Sequence, residues 1–429
     1  MKNDSIQISL LRAVAVLMGC GTLWCHSAVN TPEIAAQSLN RLGLELLGQS
    51  KSAGGNQLLS PYSIQTALAM TLAGADGETR TEMARVLGLN GAESEIHASF
   101  AALAAALEEV SRRSELRTKN LAKNGVEGEP LSLAMANRLF GEQHYAFRPP
   151  FLGVVQEHYG APLERVSFRE DPQGARAGIN RWVAQRTKDR ILDLVPEDGV
   201  SRDTRLVLVN AIHFKSPWVE PFPSGATANR PFHVDGKTVR EVPTLQRQAR
   251  FGYSKRDGYT AVSVPYAGGE LHFLILLPDA VEGLAELETK LKEEALAACS
   301  NLPGTEVQLS LPKFKLQPPV LKLSAALRAL GMKSAFDVPA GSANFDRMAE
   351  RKPDDYLFIS EVFHKTFIEL DEKGTEAAAA TAVSMMRATS VIAAPKPPIE
   401  VRVDRPFLFA IQHRASKACL FLGRLSDPR

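Results

Sequence analysis

The sequence is poor in the residues that hold metals, build disulfide frameworks or cross bilayers. It has four cysteines in 429 residues, and two of them, Cys20 and Cys25, lie near the N-terminus. The other two, Cys299 and Cys419, are too few and too far apart for a disulfide framework or a cysteine-based metal site. The nine histidines show no ligand spacing. Neither a G-x-S-x-G nucleophile elbow nor an H-E-x-x-H metal helix occurs. "DGKT" at Asp235 to Thr238 has the tail of a phosphate loop, but Pro231 stands where the first glycine belongs. The 50 basic and 48 acidic residues leave a net charge of +2, so nothing demands a nucleic acid or an acidic membrane as partner. There is no internal repeat and no low-complexity linker. These absences leave no constellation for a catalytic or cofactor-dependent reading.

What is present is an ordinary globular composition, 45% hydrophobic and 23% charged, on a chain long enough for a large core. The first 28 residues read as a signal peptide. Lys2 and Arg12 precede an uncharged, mostly apolar run from Ala13 to Trp24, too short to span a bilayer. "HSA" at His26 to Ala28 offers a small-residue cleavage site. "LMGC", Leu17 to Cys20, offers a second reading, a lipoprotein signal with Cys20 lipidated, although Met18 is unusual in such a box. Either reading takes the protein out of the cytosol, as secreted, periplasmic or lipid-anchored. Cys419 sits in the apolar "ACLFLGRL" and reads as a buried structural thiol.

The N-terminal third is patterned for helices. In "SPYSIQTALAMTLAG" Ser60 is the cap, Pro61 the first helical residue, and Ile64, Leu68 and Leu72 share one face. "ETRTEMARVLG", closed by Gly88, and "EIHASFAALAAALEEV" follow as further helices. Ser111 to Pro130 is polar and reads as a helix end plus loop. Strands dominate afterwards. "RLVLVNAIHF" and "LHFLILLP" are apolar throughout, as strands covered on both faces are. "VQLSLPKFKL" alternates and then changes phase at Pro312, which places a bulge or strand end there. "EVFHKTFIEL" puts Val362, His364, Thr366, Ile368 and Leu370 on one face. No domain boundary interrupts this, so a single α+β domain is expected.

One stretch fits neither pattern. "EKGTEAAAATAVSMMRATS", Glu372 to Ser390, holds the run Glu376-Ala377-Ala378-Ala379-Ala380, which propensity alone makes helical. It has no helix caps, however, and lies in a connection of twenty-odd residues between strands, a length that points to function.

At this point the chain resembles the serpin family from about Asn30 to its end. The blocks that carry the resemblance are "NQLLSPYSIQTALAMTLAGADGET", "MANRLFG", "INRWVAQRTKDRI", "LVLVNAIHFKSPW", "PYAGGELHFLILLP", "LPKFKL", "LGMKSAF", "FHKTFIELDEKGTEAAAATAV", "RPFLFAI" and "FLGRLSDP". They stand in the family's order. Minor departures are "TLQRQ", where a methionine pair is usual, and "SANFD", where "ADFS" is usual. The resemblance implies one serpin domain over residues 30–429, with three β-sheets, about nine helices and an exposed reactive loop. It also implies an irreversible suicide-substrate inhibitor of serine proteases, not an enzyme, that is metastable, monomeric and free of cofactor or metal. The target would end in a covalent 1:1 complex, and a cysteine protease is a second target class.

The family's geometry gives the alanines a purpose. A protease attacks the loop, and the cut N-terminal part enters the main sheet as a new strand. Thr375, Ala377, Ala379, Thr381 and Val383 would face inward at the strand period. All are uncharged and none is proline, so none buries an unpaired charge or forfeits a ladder bond through a missing N–H. Ala378 and Ala380 complete the hinge, with Gly374 tolerating the dihedral change. By resemblance Ser60, Ser63, Asn210 and His364 form the shutter, the polar cluster beneath the parting sheet. Trp218, Lys313 and Glu372 form the breach, where the loop first enters, with a Lys313–Glu372 ion pair. The family's usual spacing from Glu372 puts the reactive bond at Ala388–Thr389, suited to an elastase-like enzyme. One residue earlier, Arg387–Ala388 would suit a trypsin-like enzyme. Arg112, Arg113, Arg117, Lys119 and Lys123 fall near a helix that binds glycosaminoglycans in some serpins, but with Glu115 among them they read as a solvated face. The competing classes are a non-inhibitory serpin acting as carrier or chaperone, a secreted hydrolase on another fold, and a lipoprotein serving adhesion.

Overall fold

In the computed structural model, residues 31–49, 55–161, 163–375 and 397–429 are described. The signal-peptide reading of residues 1–28, with Cys20, lies outside them. So do Ala377 to Thr381 and both candidate reactive bonds.

Helices α1 (Glu33–Gln49), α2 (Pro61–Leu72), α3 (Gly77–Leu87) and α4 (Glu93–Lys123) open the chain, with strand β1 (Gln57–Leu59) between the first two. Local chemistry sets their ends. The Ser60 hydroxyl accepts the Ser63 N–H at 3.1 Å, capping α2, whose first residue is Pro61. Gly88 closes α3 at φ 66°, a conformation that favours glycine. The polar stretch from Ser111 stays helical as far as Lys123, longer than its sequence suggests. Glu109 bonds both Arg112 and Arg113, and Ser114 is buried and accepts the Leu131 N–H at 2.8 Å.

Next come β2 (Ser132–Glu142), α5 (Pro149–Tyr159), β3 (Glu164–Val166), α6 (Pro172–Arg186) and β4 (Leu206–Pro217). Strands β5 (Ala228–His233), β6 (Val239–Arg256), β7 (Tyr259–Pro265) and β8 (Leu271–Pro278) follow, then α7 (Leu284–Lys290) and α8 (Glu293–Ala297). The chain continues with β9 (Gly304–Pro312), β10 (Phe314–Leu316), β11 (Leu321–Lys322), α9 (Ser324–Ala329), β12 (Ile359–Leu370) and β13 (Gly374–Thr375). It ends with β14 (Ile399–Arg402), β15 (Phe407–His413) and β16 (Cys419–Leu425). The described residues thus hold nine α-helices.

The main sheet has the order β10-β12-β13-β4-β2-β3, with β11 attached to β12. The remaining strands run β1-β16-β15-β8-β7-β6-β9-β14, with β5 on β6. The two smaller sheets expected from sequence are continuous here through β6, whose first part pairs with β5 and β9 and whose last part pairs with β7. The phase change at Pro312 marks the passage between sheets, because β9 belongs to one and β10 to the other. Strands β4 and β8 are buried almost throughout, which explains their unbroken apolar runs. One face of the main sheet closes the principal core with α2 and the second sheet. Its other face carries a second core, in which Val207, Val209, Ala211 and Phe363 lie under Ile179 and Val183 of α6. Cys299 and Cys419 are buried free thiols, and burial pushes both thiol pKa values up, that of Cys299 to about 11.

Candidate functional site

The centre of the main sheet is a seam. Strands β4 and β12 pair in parallel from Leu206 opposite Ile359 to His213 opposite Phe367. Above that point they part, and β13 lies between them. Gly374 pairs with Pro217 and Thr375 with Ser216 on one side, and Thr375 pairs with Leu370 on the other. Both pairings of β13 are antiparallel. A two-residue wedge therefore enters the sheet at the root of the alanine-rich connection.

Close contacts hold the wedge. A Cβ on Gly374 would lie 2.2 Å from the Ser216 carbonyl oxygen, so only glycine fits, quite apart from any hinge motion. Thr375 is fully buried, with its hydroxyl 2.6 Å from that of Tyr266. The Tyr266 ring stacks on Trp218 at 4.6 Å between centroids. Trp218 in turn holds the incoming chain twice. Its indole N–H donates to the Asp371 carbonyl at 3.0 Å, and its backbone N–H donates to the Lys373 carbonyl at 2.9 Å. The Lys313 ammonium lies 2.8 Å from Glu372 Oε2, and the Thr227 hydroxyl donates to Oε1 at 2.8 Å. Burial pushes the Glu372 carboxyl pKa up, but the Lys313 bond, its own backbone N–H and Thr227 outweigh it, and the net shift is downward. Glu372 is thus better fixed than an exposed surface pair. Lys313 reaches it because it is the single residue between β9 and β10.

Halfway down the seam lies a buried polar cluster. Asn137, Asn210 and His364 sit side by side across β2, β4 and β12, on the face toward α2. His364 Nε2 accepts the Ser60 N–H at 3.0 Å, which leaves its proton on Nδ1. Burial lowers its pKa to about 3, so the ring is neutral at ordinary pH. The Ser60 hydroxyl donates to the Leu420 carbonyl at 2.6 Å. The Ser63 hydroxyl donates to Asn137 Oδ1 at 2.6 Å, and Asn137 Nδ2 donates back to the Ser63 carbonyl at 2.9 Å. Within this cluster Asn210 Nδ2 has no hydrogen-bond partner among the described residues, and His364 Nδ1 has none of good geometry, although the Asn210 backbone lies close enough to act against burial on its pKa. Buried polar groups of this kind are costly without a well-formed partner.

Ser60, Ser63, Asn210 and His364 therefore meet in one cluster, and Trp218, Lys313, Glu372, Gly374 and Thr375 in another. Sequence reasoning missed Asn137, Thr227 and Tyr266. Asn137 carried a signal, since it interrupts the largely apolar β2 as Asn210 interrupts β4. The other two had none. Cations on α4 are largely spoken for: Arg112 and Arg113 bind Glu109, and Arg117 lies 3.7 Å from Glu270.

Comparison with known proteins agrees with this geometry. Residues 37–428 match the family model described as "Serpin (serine protease inhibitor)". Leukocyte elastase inhibitor of Sus scrofa is 38% identical over 400 residues, 90% of this chain and 98% of that protein. Serpin B9 of Homo sapiens is 36% identical over 378 residues, 87% of this chain and 93% of that protein. Among solved structures, cleaved Serpin 42Da superposes with a TM-score of 0.75 at 32% identity, covering 92% of this chain and 99% of that one. Serpin48 of the insect Tenebrio molitor gives a TM-score of 0.75 at 29% identity, covering 92% and 98%.

Proposed function

The chain belongs to the serpin family as a protease-inhibitory member, and we propose that it works as a suicide substrate whose cut loop inserts along the β4–β12 seam. The observation that carries this reading is β13, already lodged at the top of that seam. Its register can be extended one residue at a time. Ala377 would come opposite Phe214 and Ile368, Ala379 opposite Ile212 and Thr366, and Thr381 opposite Asn210 and His364. Val383 would come opposite Leu208 and Val362. All of these strand residues are buried, so the inward positions must be small or apolar. Thr381 is the exception that fits, because its hydroxyl would arrive beside Asn210 Nδ2, which lacks a partner among the described residues, and His364 Nδ1, which lacks one of good geometry. Ala378 and Ala380 would face the α6 side, where His213, Phe367 and Ala211 leave little room. Alanines are thus needed on both faces.

The seam also supports a driving force. Strands β4 and β12 are parallel neighbours in a sheet where β4 is antiparallel to β2. An antiparallel strand between them replaces one parallel ladder by two antiparallel ones, which are more stable per residue. The native state is then a kinetic trap.

In the reaction, the target's serine attacks the carbonyl before the reactive bond, forms the acyl ester and releases the new amino terminus. Insertion carries the ester-linked enzyme along the seam. A displacement of its oxyanion donors by about an ångström costs deacylation orders of magnitude. The inhibitor is consumed in a covalent 1:1 complex and does not turn over. We assign the bond Ala388–Thr389 and an elastase-like target, in keeping with the relatives named leukocyte elastase inhibitor. Arg387–Ala388 and a trypsin-like target are the second reading, and a cysteine protease is a further target class. The N-terminal signal pattern supports export, with Cys20 as the lipidation site if the lipoprotein reading holds.

The test mixes purified mature protein with pancreatic elastase and with trypsin, followed by denaturing gels and sequencing of the released fragment. A stable band of summed mass is expected, with a fragment beginning at Thr389. A fragment beginning at Ala388 moves the bond to Arg387. Loop cleavage without complex would refute inhibition of these enzymes. Cleaved protein that gains no thermal stability would refute insertion and favour a carrier.

A further inference from the structure

The tip of the β6–β7 hairpin and the elbow between α7 and α8 face one another across a cavity. The hairpin turns through two residues, Asp257 and Gly258. The Asp279 N–H donates to the Gly258 carbonyl at 3.0 Å and ties this tip to the end of β8. The cavity between the two arms has a volume of about 440 Å³, within the range of small-molecule sites. No residue of α1 or of the turn between β15 and β16 lines it.

Its walls are of two kinds. Leu287, Leu291 and Ala295 supply an apolar wall from the helical elbow. On the hairpin side, Arg256 and Tyr259 are direct strand partners, so their side chains leave the sheet on the same face. Both line the cavity. The rim carboxylates are already engaged: Asp279 pairs with Lys255, Glu286 pairs with Lys290, and the Asp257 charge also acts on Lys290. Arg256 has no such counterpart. Its Nε is buried without a hydrogen bond among the described residues, and none of the rim carboxylates there pairs with its guanidinium. Burial raises the pKa of the Tyr259 hydroxyl and of the Cys299 thiol, and the Arg256 charge reaches both and works against that rise. A half-buried guanidinium beside a phenolic hydroxyl is the donor half of an anion site, with the acceptor missing.

We propose that this cavity binds a monocarboxylic acid with an apolar tail, of the medium-chain fatty-acid kind. The carboxylate would accept a forked pair of hydrogen bonds from Arg256 and a third from the Tyr259 hydroxyl. The tail would lie on Leu287, Leu291 and Ala295, taking apolar surface out of water. An inorganic anion would leave that wall wet. A neutral apolar molecule would leave the Arg256 charge unpaired in a drier site, which is costly. None of these residues belongs to the seam, the wedge or the buried polar cluster.

The experiment titrates the full mature protein with decanoate below its micelle concentration, by calorimetry. No protease is present, so failure here would leave the inhibitory reading untouched. The comparison probes are acetate, which lacks the tail, decanol, which lacks the charge, and decyltrimethylammonium, which reverses it. Decanoate should bind saturably at a single site, and each comparison probe roughly tenfold or more weakly. Arg256→Gln should weaken decanoate by roughly tenfold or more, the loss of a charge-assisted pair, and Tyr259→Phe by about threefold. Lys290→Gln, at the rim, should bind as the parent does. Unchanged melting temperatures certify that the variants are folded. A second readout needs no substitution: decanoic acid carrying a diazirine at its tail end is photolysed on the parent protein, and the label should fall between Leu287 and Ala295. No saturable decanoate binding, decanol binding as tightly as decanoate, equal loss in the Arg256 and Lys290 variants, or label confined to another part of the chain would each overturn the proposal.

Discussion

Consider Ala379→Asp. Extended from β13, the register puts this side chain opposite Ile212 and Thr366, both buried on the core side. The one polar neighbour there, the Thr366 hydroxyl, already donates to the Leu58 carbonyl at 3.2 Å. A carboxyl arriving at that depth has no cation to meet. Burying even a neutral polar group without a partner costs roughly 2–7 kcal/mol, and a charge costs more. If about 3 kcal/mol of this is felt in the insertion barrier, insertion slows about 150-fold. Trapping depends on insertion outrunning deacylation, so most molecules should be cleaved and released as product. The assay titrates enzyme with inhibitor and reads the stoichiometry of inhibition, with gels for complex and cleaved forms. Loop cleavage should keep its rate, because the substitution lies nine residues before the assigned bond. The native melting temperature should not move, because in the proposed mechanism insertion of position 379 follows cleavage. Ala379→Val, uncharged, should remain an inhibitor. Parent-like stoichiometry for the Asp variant would refute the register, or show that insertion stops short of Ile212.

Other substitutions test the wedge and the polar cluster. Gly374→Ala sets a methyl against the Ser216 carbonyl; the hinge should leave the sheet, read as faster limited proteolysis near Thr375, and the variant should behave more as substrate than as inhibitor. Glu372→Gln should reduce the acid dependence of hinge protection, the remainder belonging to Asp371, whose carboxylate accepts the Lys373 and Gly374 N–H groups at 2.8 and 3.1 Å. In the parent, the lowered pKa makes the contribution of Glu372 complete above its ordinary value near 4.5 and lost as pH falls through the folded value, so hydrogen exchange at Lys373 and Gly374 should rise in that acid range. His364→Ala leaves the Ser60 N–H without its acceptor and opens a cavity, which should cost about 2–4 kcal/mol in denaturant unfolding. His364 takes up its proton at about 6.5 when unfolded but only near 3 when folded, so it should lower native stability progressively between those pH values, and the alanine variant should show a flatter acid limb.

Much of this was legible in the sequence because burial on two faces leaves a plain mark. The runs in β4 and β8 have no polar phase, and the Ser60–Pro61 start of α2 is a local cap that needs no tertiary context. The phase change at Pro312 was visible as well, though not that it separates two sheets. Contacts made across long separations were not legible. Tyr266 meets Thr375, and Thr227 meets Glu372, only after the sheets are assembled. Asn137 joins Ser63 through strand register, which a single chain does not display. The long α4 was hidden by its polar surface, since its inner contacts after Val110 fall on few residues such as Ser114.

The passage of one chain segment between the two sheets at Lys313 has a mechanical meaning. β10 pairs with the end of β12, just before the alanine-rich loop begins, and β9 pairs with β14, where that loop ends. Both anchorages of the loop are therefore bolted to a single continuous rail from Gly304 to Leu316. The span between them is set by that rail. On the proposed mechanism, cutting the loop releases its β12 side from the β9–β14 anchorage, and only then can that end travel.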